Sequence, residues 1–215
     1  MSDAPGPEDS SPRRSYAKGI ARRRQIIESA IASFADHGVD GTSLRTLGEE
    51  IGVSHATLRH YFASRDELLV EVYRAHEESS VGDALGGGAD APEGVGPVEA
   101  MAASADRNRS IPGLVRLYAT LSTDALQEGH PASEAFIRER FAGLRDALAE
   151  LIREGQAFGR IAADIDATDA AALVIAASDG LQVQWLLDPD AVDVGRSLKL
   201  LARILPGSGA STTEA

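Results

Sequence analysis

Apolar positions along the chain recur at three- and four-residue intervals, and no stretch alternates apolar with polar over the length of a strand. The pattern predicts an all-α protein. In the first third, Ile20, Ile26, Ile27, Ala30, Ile31 and Phe34 lie on one stripe of a core-facing helix over residues 17–37, which Gly38 ends. A second helix opens at Thr42 or Ser43, either of which can cap it, turns Leu44, Leu47 and Ile51 inward, and stops at Gly52. Val53 then packs, and Ser54 caps a third, short helix that runs through Phe62. Ser64 caps a fourth helix, with Asp66 and Glu67 suited to its first turn and Leu68, Leu69, Val72 and Tyr73 on one face.

Helical periodicity breaks over residues 81–97, VGDALGGGADAPEGVGP, because so many glycines and two prolines cannot sustain a continuous helix; a linker or loop is expected. It resumes in five segments: residues 98–105, 111–128, 133–158, 167–187 and 191–205. The longest carries Phe136, Ile137, Phe141, Leu144, Leu148, Leu151 and Ile152 on one stripe and must pack along it. Residues 167–187, ATDAAALVIAASDGLQVQWLL, are apolar nearly all round, so that helix needs cover on more than one side.

The second and third helices, joined by a turn containing Gly52, have the form of a helix-turn-helix. Gly52 permits the turn, and Leu47, Val53, Leu58 and Phe62 anchor the third helix against the second. His55, Ala56, Thr57, Arg59, His60 and Tyr61 are left facing outward or at the edge. Such a face suits a major groove: Thr57 can bond a base or phosphate and touch a thymine methyl, Ala56 allows close approach, and His, Tyr and Arg reach phosphates or base edges. The span from Gly19 to Tyr73, above all GVDGTSLRTLGEEIGVSHATLRHYFASRDELL, resembles the DNA-binding domain of the TetR family of bacterial transcriptional regulators. The resemblance implies that residues 54–62 are the recognition helix, that residues 43–51 support it, and that Arg65 holds a phosphate. Its implied DNA-contacting set is Ser43, Arg45, Ser54, His55, Ala56, Thr57, Arg59, His60, Tyr61 and Arg65. In one position the chain departs from the family pattern: Arg59 stands where a tyrosine is usual.

Composition and charge sharpen this reading. The formal net charge is −12, yet residues 1–76 carry only −1 of it and residues 77–215 carry −11. Residues 10–27 contain Arg13, Arg14, Lys18, Arg22, Arg23 and Arg24 and no acidic group, a cluster able to neutralise phosphates. There is no cysteine, and His37, His55, His60, His76 and His130 show no metal-binding spacing, so no disulfide, cofactor or metal is expected. No phosphate loop or activated nucleophile is evident, which disfavours an enzyme. The N-terminus has no apolar secretory region and no run approaches ~18 consecutive apolar residues, so a cytoplasmic location is expected.

The expected organisation is a disordered tail over 1–16, the helix-turn-helix domain over 17–63 and a connecting helix over 64–80. After the loop at 81–97 come a ligand-binding and dimerisation domain over 98–206 and a disordered tail over 207–215. The resemblance implies a homodimer in which the last two helices of each chain form a four-helix interface, with Ala171, Ala172, Ala176, Ala177 and Gly180 allowing close approach. Tyr118, Phe136, Phe141, Asp179, Gln182 and Trp185 are candidates to contact an effector, although Asp179 has the alternative of a structural pair with an arginine or a helix end. The function that follows is a repressor released from a palindromic operator by a small apolar, neutral or cationic effector; a constitutive regulator without an effector is the alternative, ahead of a helical enzyme.

Overall fold

The computed structural model describes residues 12–37, 43–80, 95–111 and 113–203, and among them it contains helices and turns but no strand. The helices are α1 (Pro12–His37), α2 (Leu44–Glu50), α3 (His55–Tyr61), α4 (Arg65–Ser80), α5 (Pro97–Arg109), α6 (Leu114–Asp124), α7 (Pro131–Ala157), α8 (Ala167–Leu187) and α9 (Val194–Leu198), followed by a 3-10 turn at Leu201–Arg203. Gly38, Thr42, the glycine-rich stretch 81–94 and the segments 1–11 and 204–215 lie outside the described residues, as therefore do the expectations placed on them.

Several boundaries differ from the periodic pattern. Helix α1 begins at Pro12, a residue suited to a first turn, so residues 12–16 belong to it rather than to a tail. Helix α5 runs on to Arg109, four residues past its apolar stripe. Helix α6 starts only at Leu114, because Gly113 before it adopts a left-handed φ of 77° that a helix cannot continue through. The segment expected over 191–205 is broken: α9 has five residues, and a 3-10 turn replaces the rest of what is described. Ile20, expected to face inward, is 53% exposed, while Ile26, Ile27, Ala30 and Phe34 of the same helix are buried.

Apolar side chains gather in two cores. The first joins α1, α2 and α3 to α4, α6 and the start of α7, with Phe62, Leu68, Tyr73, Leu121 and Phe136 inside it. The second joins α5, the later turns of α7, α8 and α9, around Leu148, Ile152, Val174 and Leu198. Phe141 packs against both. The boundary between cores thus falls inside α7, and α4 belongs to the same core as α1, α2 and α3: it packs on α1, α6 and α7, with Leu68, Leu69, Val70, Val72 and Tyr73 all buried.

Helix α8 divides by face. Ala170, Ala171, Val174, Ile175, Ser178 and Gln182 are buried. Leu173 is 55% exposed, Val183 47% and Leu187 83%. Of the small residues expected at an interface, Ala171 therefore packs inside its own chain and Ala177 is half-buried, while Ala172, Ala176 and Gly180 are exposed. By length and composition alone, α8 could cross a membrane, with a mean hydropathy of 1.4 over its most apolar window. Its packing against α5, α6, α7 and α9 accounts for the buried face instead.

The tightest backbone approach lies within the helix-turn-helix. The Val53 N–H donates to the Gly48 carbonyl at 2.7 Å, and a side chain at Gly48 would collide with the Val53 carbonyl oxygen and lie 3.2 Å from Leu58 Cδ1. Gly48→Ala should therefore cost about 1–3 kcal/mol by overpacking. Gly19→Ala, where a Cβ meets nothing within 4 Å, should stabilise by about 0.5–1 kcal/mol. Urea unfolding of the two variants checks the contrast, and equal stabilities would refute the close approach.

Candidate nucleic-acid interface and effector core

Helix α3 is short, and its geometry is set by its ends. Ser54, in extended conformation, accepts from the Thr57 N–H at 3.1 Å and exchanges a 2.8 Å hydrogen bond with the Thr57 hydroxyl. Ser43 repeats the device for α2, accepting from the Thr46 N–H at 3.1 Å and pairing with the Thr46 hydroxyl at 2.9 Å. Gly52 makes the intervening turn with φ 68°, and Val53, Leu58 and Phe62 pin α3 inward. Ser33 donates to Glu50 at 2.5 Å and so ties α1 to α2.

With those anchors buried, the opposite face of α3 is open. His55, Ala56, Arg59 and His60 are exposed, Thr57 and Tyr61 stand at the edge, and the His60 and Tyr61 rings meet edge-on at 5.0 Å. Ser43, Arg45 and Ser54 are exposed on the same two-helix unit; Arg45 pairs with Glu49 at 3.2 Å. Arg65 begins α4 and is half-buried. The basic cluster of α1 has divided roles. Arg23 bonds Glu71 at 2.7 Å and lies over the Phe62 ring at 5.0 Å, so it braces α1 against α4, whereas Arg22 and Arg24 are exposed and bond Gln25 and Glu28 of their own helix.

The six candidate effector residues fall into separate surroundings. Tyr118 donates to Asp179 Oδ2 at 3.1 Å, and Tyr73 lies 5.6 Å from Tyr118 and 5.5 Å from Phe136, ring to ring. Into this aromatic group reaches Arg140, 5.4 Å from the Tyr73 ring and 5.1 Å from the Tyr118 ring, ion-paired with Glu77. Burial pushes the Asp179 carboxyl above its usual range, against the hydrogen bond from Tyr118 and the charge of Arg140, which pull the other way. Burial likewise raises the Tyr118 phenol to about 12, and the Asp179 charge adds to the rise. Phe141 lies between the two cores. Gln182 turns back on its own helix, donating to the Ser178 hydroxyl at 3.2 Å, and Trp185 lies under Arg109 at 5.8 Å.

Sequence patterning missed Tyr73, Glu77 and Arg140 as members of this group. Tyr73 reads as an ordinary core residue of α4, and Arg140 follows helical spacing like any solvated arginine of α7. A second buried group was also missed. Asp66 accepts from the Ala132 N–H at 2.8 Å, the Ser133 N–H at 3.2 Å and the Ser133 hydroxyl, and so serves α7 rather than only its own first turn.

Known proteins match the chain at both of these regions. Residues 26–72 match the model of the bacterial regulatory proteins of the tetR family, and residues 116–207 match that of the BetI-type transcriptional repressor C-terminal region. The HTH-type transcriptional regulator TtgR of Pseudomonas putida is 28% identical over 192 residues, covering 85% of this chain and 88% of that protein. Two solved structures share the fold. A transcriptional regulator from Saccharomonospora viridis in complex with choline is 23% identical with a TM-score of 0.67, covering 86% of this chain and 98% of that one. The SmeT–triclosan complex is 18% identical with a TM-score of 0.66, covering 86% and 91%. With the helix-turn-helix region and the C-terminal helices each matched, and a capped helix-turn-helix presenting an open polar face, the chain belongs to the TetR family of DNA-binding transcriptional regulators.

Proposed function

We propose that the chain acts in the cytoplasm as a homodimeric repressor, that α3 reads a near-palindromic operator, and that a small molecule held among the core helices releases it. The observation that carries the reading is the open face of α3, with His55, Ala56, Arg59 and His60 exposed on a helix whose other side is fully anchored. A capped helix of seven residues with that face fits the major groove. Ser43, Arg45 and Ser54 flank it at helix starts, where backbone N–H groups and short side chains meet phosphates, and Arg65 adds a cation at the start of α4. Thr57→Ala and His60→Ala are each expected to weaken operator binding by about 1–3 kcal/mol without unfolding the chain. Arg65→Ala should weaken all duplexes alike and reduce the salt slope by about one. Fluorescence anisotropy at matched salt distinguishes these effects, and unchanged operator affinity in all three variants would remove the assignment.

Dimerisation is proposed through the exposed face of α8. Leu173, Val183 and Leu187 supply apolar area there, and Ala172, Ala176 and Gly180 leave room for a facing helix. The five-residue α9 is too short to form half of a helix pair, so α7, which packs along α8, is the better neighbour in the interface. A Cβ at Gly180 meets nothing within 4 Å in the chain itself. Gly180→Arg and Ala176→Arg should therefore leave the fold intact and yield monomers. Sedimentation at micromolar concentration is the check; a monomeric parent protein would contradict the proposal.

For the effector, the group around Tyr118, Phe136 and Asp179 is favoured, with Phe141 at its margin and Gln182 and Trp185 in structural roles. Arg140 pairs with Glu77 and its charge acts on Asp179, while Arg74 lies over the Phe136 ring at 5.2 Å and pairs with Glu139. The aromatic faces and the acid excess of residues 77–215 favour a largely apolar ligand that is neutral or cationic. The choline and triclosan complexes of its structural relatives show ligands of both kinds in this fold. Since burial raises the Asp179 pKa, its ionised form is disfavoured in the folded state: it lowers stability at neutral pH, and that cost fades as pH falls through the folded pKa. Asp179→Asn should therefore raise the melting temperature at pH 7–8, with the gain shrinking in acid, while weakening a cationic effector's ability to release DNA. A variant that is less stable at every pH, or that responds to cations like the parent, would exclude this role for Asp179.

A further inference from the structure

The reading helix and α7 are linked by a short polar path. Phe62 ends α3, and only Ala63 and Ser64 separate it from Arg65, the first residue of α4. The first turn of α4 makes two kinds of connection. Ser64 accepts from the Glu67 N–H at 3.0 Å, and Glu67 reaches back to accept from the Ala63 N–H at 2.7 Å, which stiffens the turn after α3. Asp66, between them in sequence, bonds to α7 instead. It is 4% exposed, and its carboxylate takes the Ala132 N–H, the Ser133 N–H and the Ser133 hydroxyl, with Ser133 fully buried.

Helix α7 lacks a cap of its own. His130 occupies the capping position with φ −119° and ψ 55° and makes no side-chain cap bond, and Pro131 follows it. A helix of 27 residues thus leaves its first N–H groups to a carboxylate from another helix, where the helix dipole also favours a negative charge. His130 Nδ1 lies 3.6 Å from Asp66 Oδ1 and 3.7 Å from Asp124 Oδ2.

We infer that Asp66 is a positioning residue for DNA binding: by capping α7 from the first turn of α4, it fixes the angle of the reading helix relative to the α7–α8 pair. The inference rests on the proposed dimer and on operator reading by α3. Apolar packing of α4 on α6 and α7 resists separation but sets no bond direction, whereas donors converging on one buried carboxylate also fix an orientation. Since α7 packs along α8, this joint transmits the orientation of the dimer axis to the reading head, and the spacing of the two heads depends on it.

The test uses the full-length protein and an operator recovered by in vitro selection from random duplexes, compared with the same operator lengthened by one base pair between its half-sites. The parent should prefer the selected spacing strongly. Asp66→Ala, assayed well below its melting temperature and as a dimer, should lose at least fivefold of that preference. Asp66→Asn, whose remaining carbonyl oxygen still accepts from a backbone N–H, should lose less. A change in stability alone would lower the active fraction for both duplexes together and leave the ratio unmoved. If Asp66→Ala does not fold, Ser133→Ala and Asp66→Asn serve, each with a smaller loss of preference in the same direction. Folded variants that keep the parent's preference would overturn the role of Asp66, while failure of the parent to select any operator would remove the DNA-reading proposal beneath it.

Discussion

The structure depends on α4 being shared. Its apolar residues Leu68, Leu69, Val70, Val72 and Tyr73 are buried, and they complete a core whose other members come from α1, α2 and α3 on one side and from α6 and α7 on the other. Moving α4 within that core exposes apolar surface at about 25 cal/mol per Å² and opens cavities in close packing. The reading head is therefore joined to the rest of the chain by a continuous packed interior. A change among α6, α7 and α8 has a direct mechanical route to α3.

The polar groups give that route its direction. At one end of α4, Asp66 holds the start of α7; further along, Glu77 holds Arg140, also on α7, between the rings of Tyr73 and Tyr118. Two points on one helix thus engage two points on another. A ligand that rearranged Arg140 or Asp179 would disturb the second attachment, and α4 would turn about the first. Such a ligand changes DNA affinity only by its preference for the altered state, with coupling of about 1–3 kcal/mol typical of regulators of this kind.

What the sequence made legible was local. Ser43 and Ser54 reveal helix starts because a short hydroxyl satisfies N–H groups two or three residues on, and Gly52 reveals a turn because its φ is positive. The inward face of the helix-turn-helix follows from periodicity, and Leu47, Val53, Leu58 and Phe62 are indeed buried. What stayed hidden depends on distant partners. Asp66 has the sequence signature of an ordinary first-turn acid, and its role as the cap of α7 comes from a residue 66 or 67 positions away. Arg140 looks like a solvated charge until Glu77, 63 positions earlier, is brought beside it. Gly48 resembles a weak point in a helix, yet the Val53 carbonyl needs the space. For α8, periodicity revealed excess apolar surface but could not divide it into the face covered by α5 and α7 and the face left open.

If α4 fixes the helix-turn-helix on the core before DNA is bound, the two DNA-binding units of a dimer are already spaced in the free protein. Because the chain has no cysteine, Glu49→Cys on the exposed side of α2 would carry a single spin label per subunit. Pulsed dipolar spectroscopy of the proposed dimer, without and with operator duplex, then reports the spacing of the two helix-turn-helix units. One narrow distance distribution is expected in the free protein, centred close to that of the operator complex. A broad free distribution that narrows only on DNA would show heads that swing independently of the core, and would contradict it.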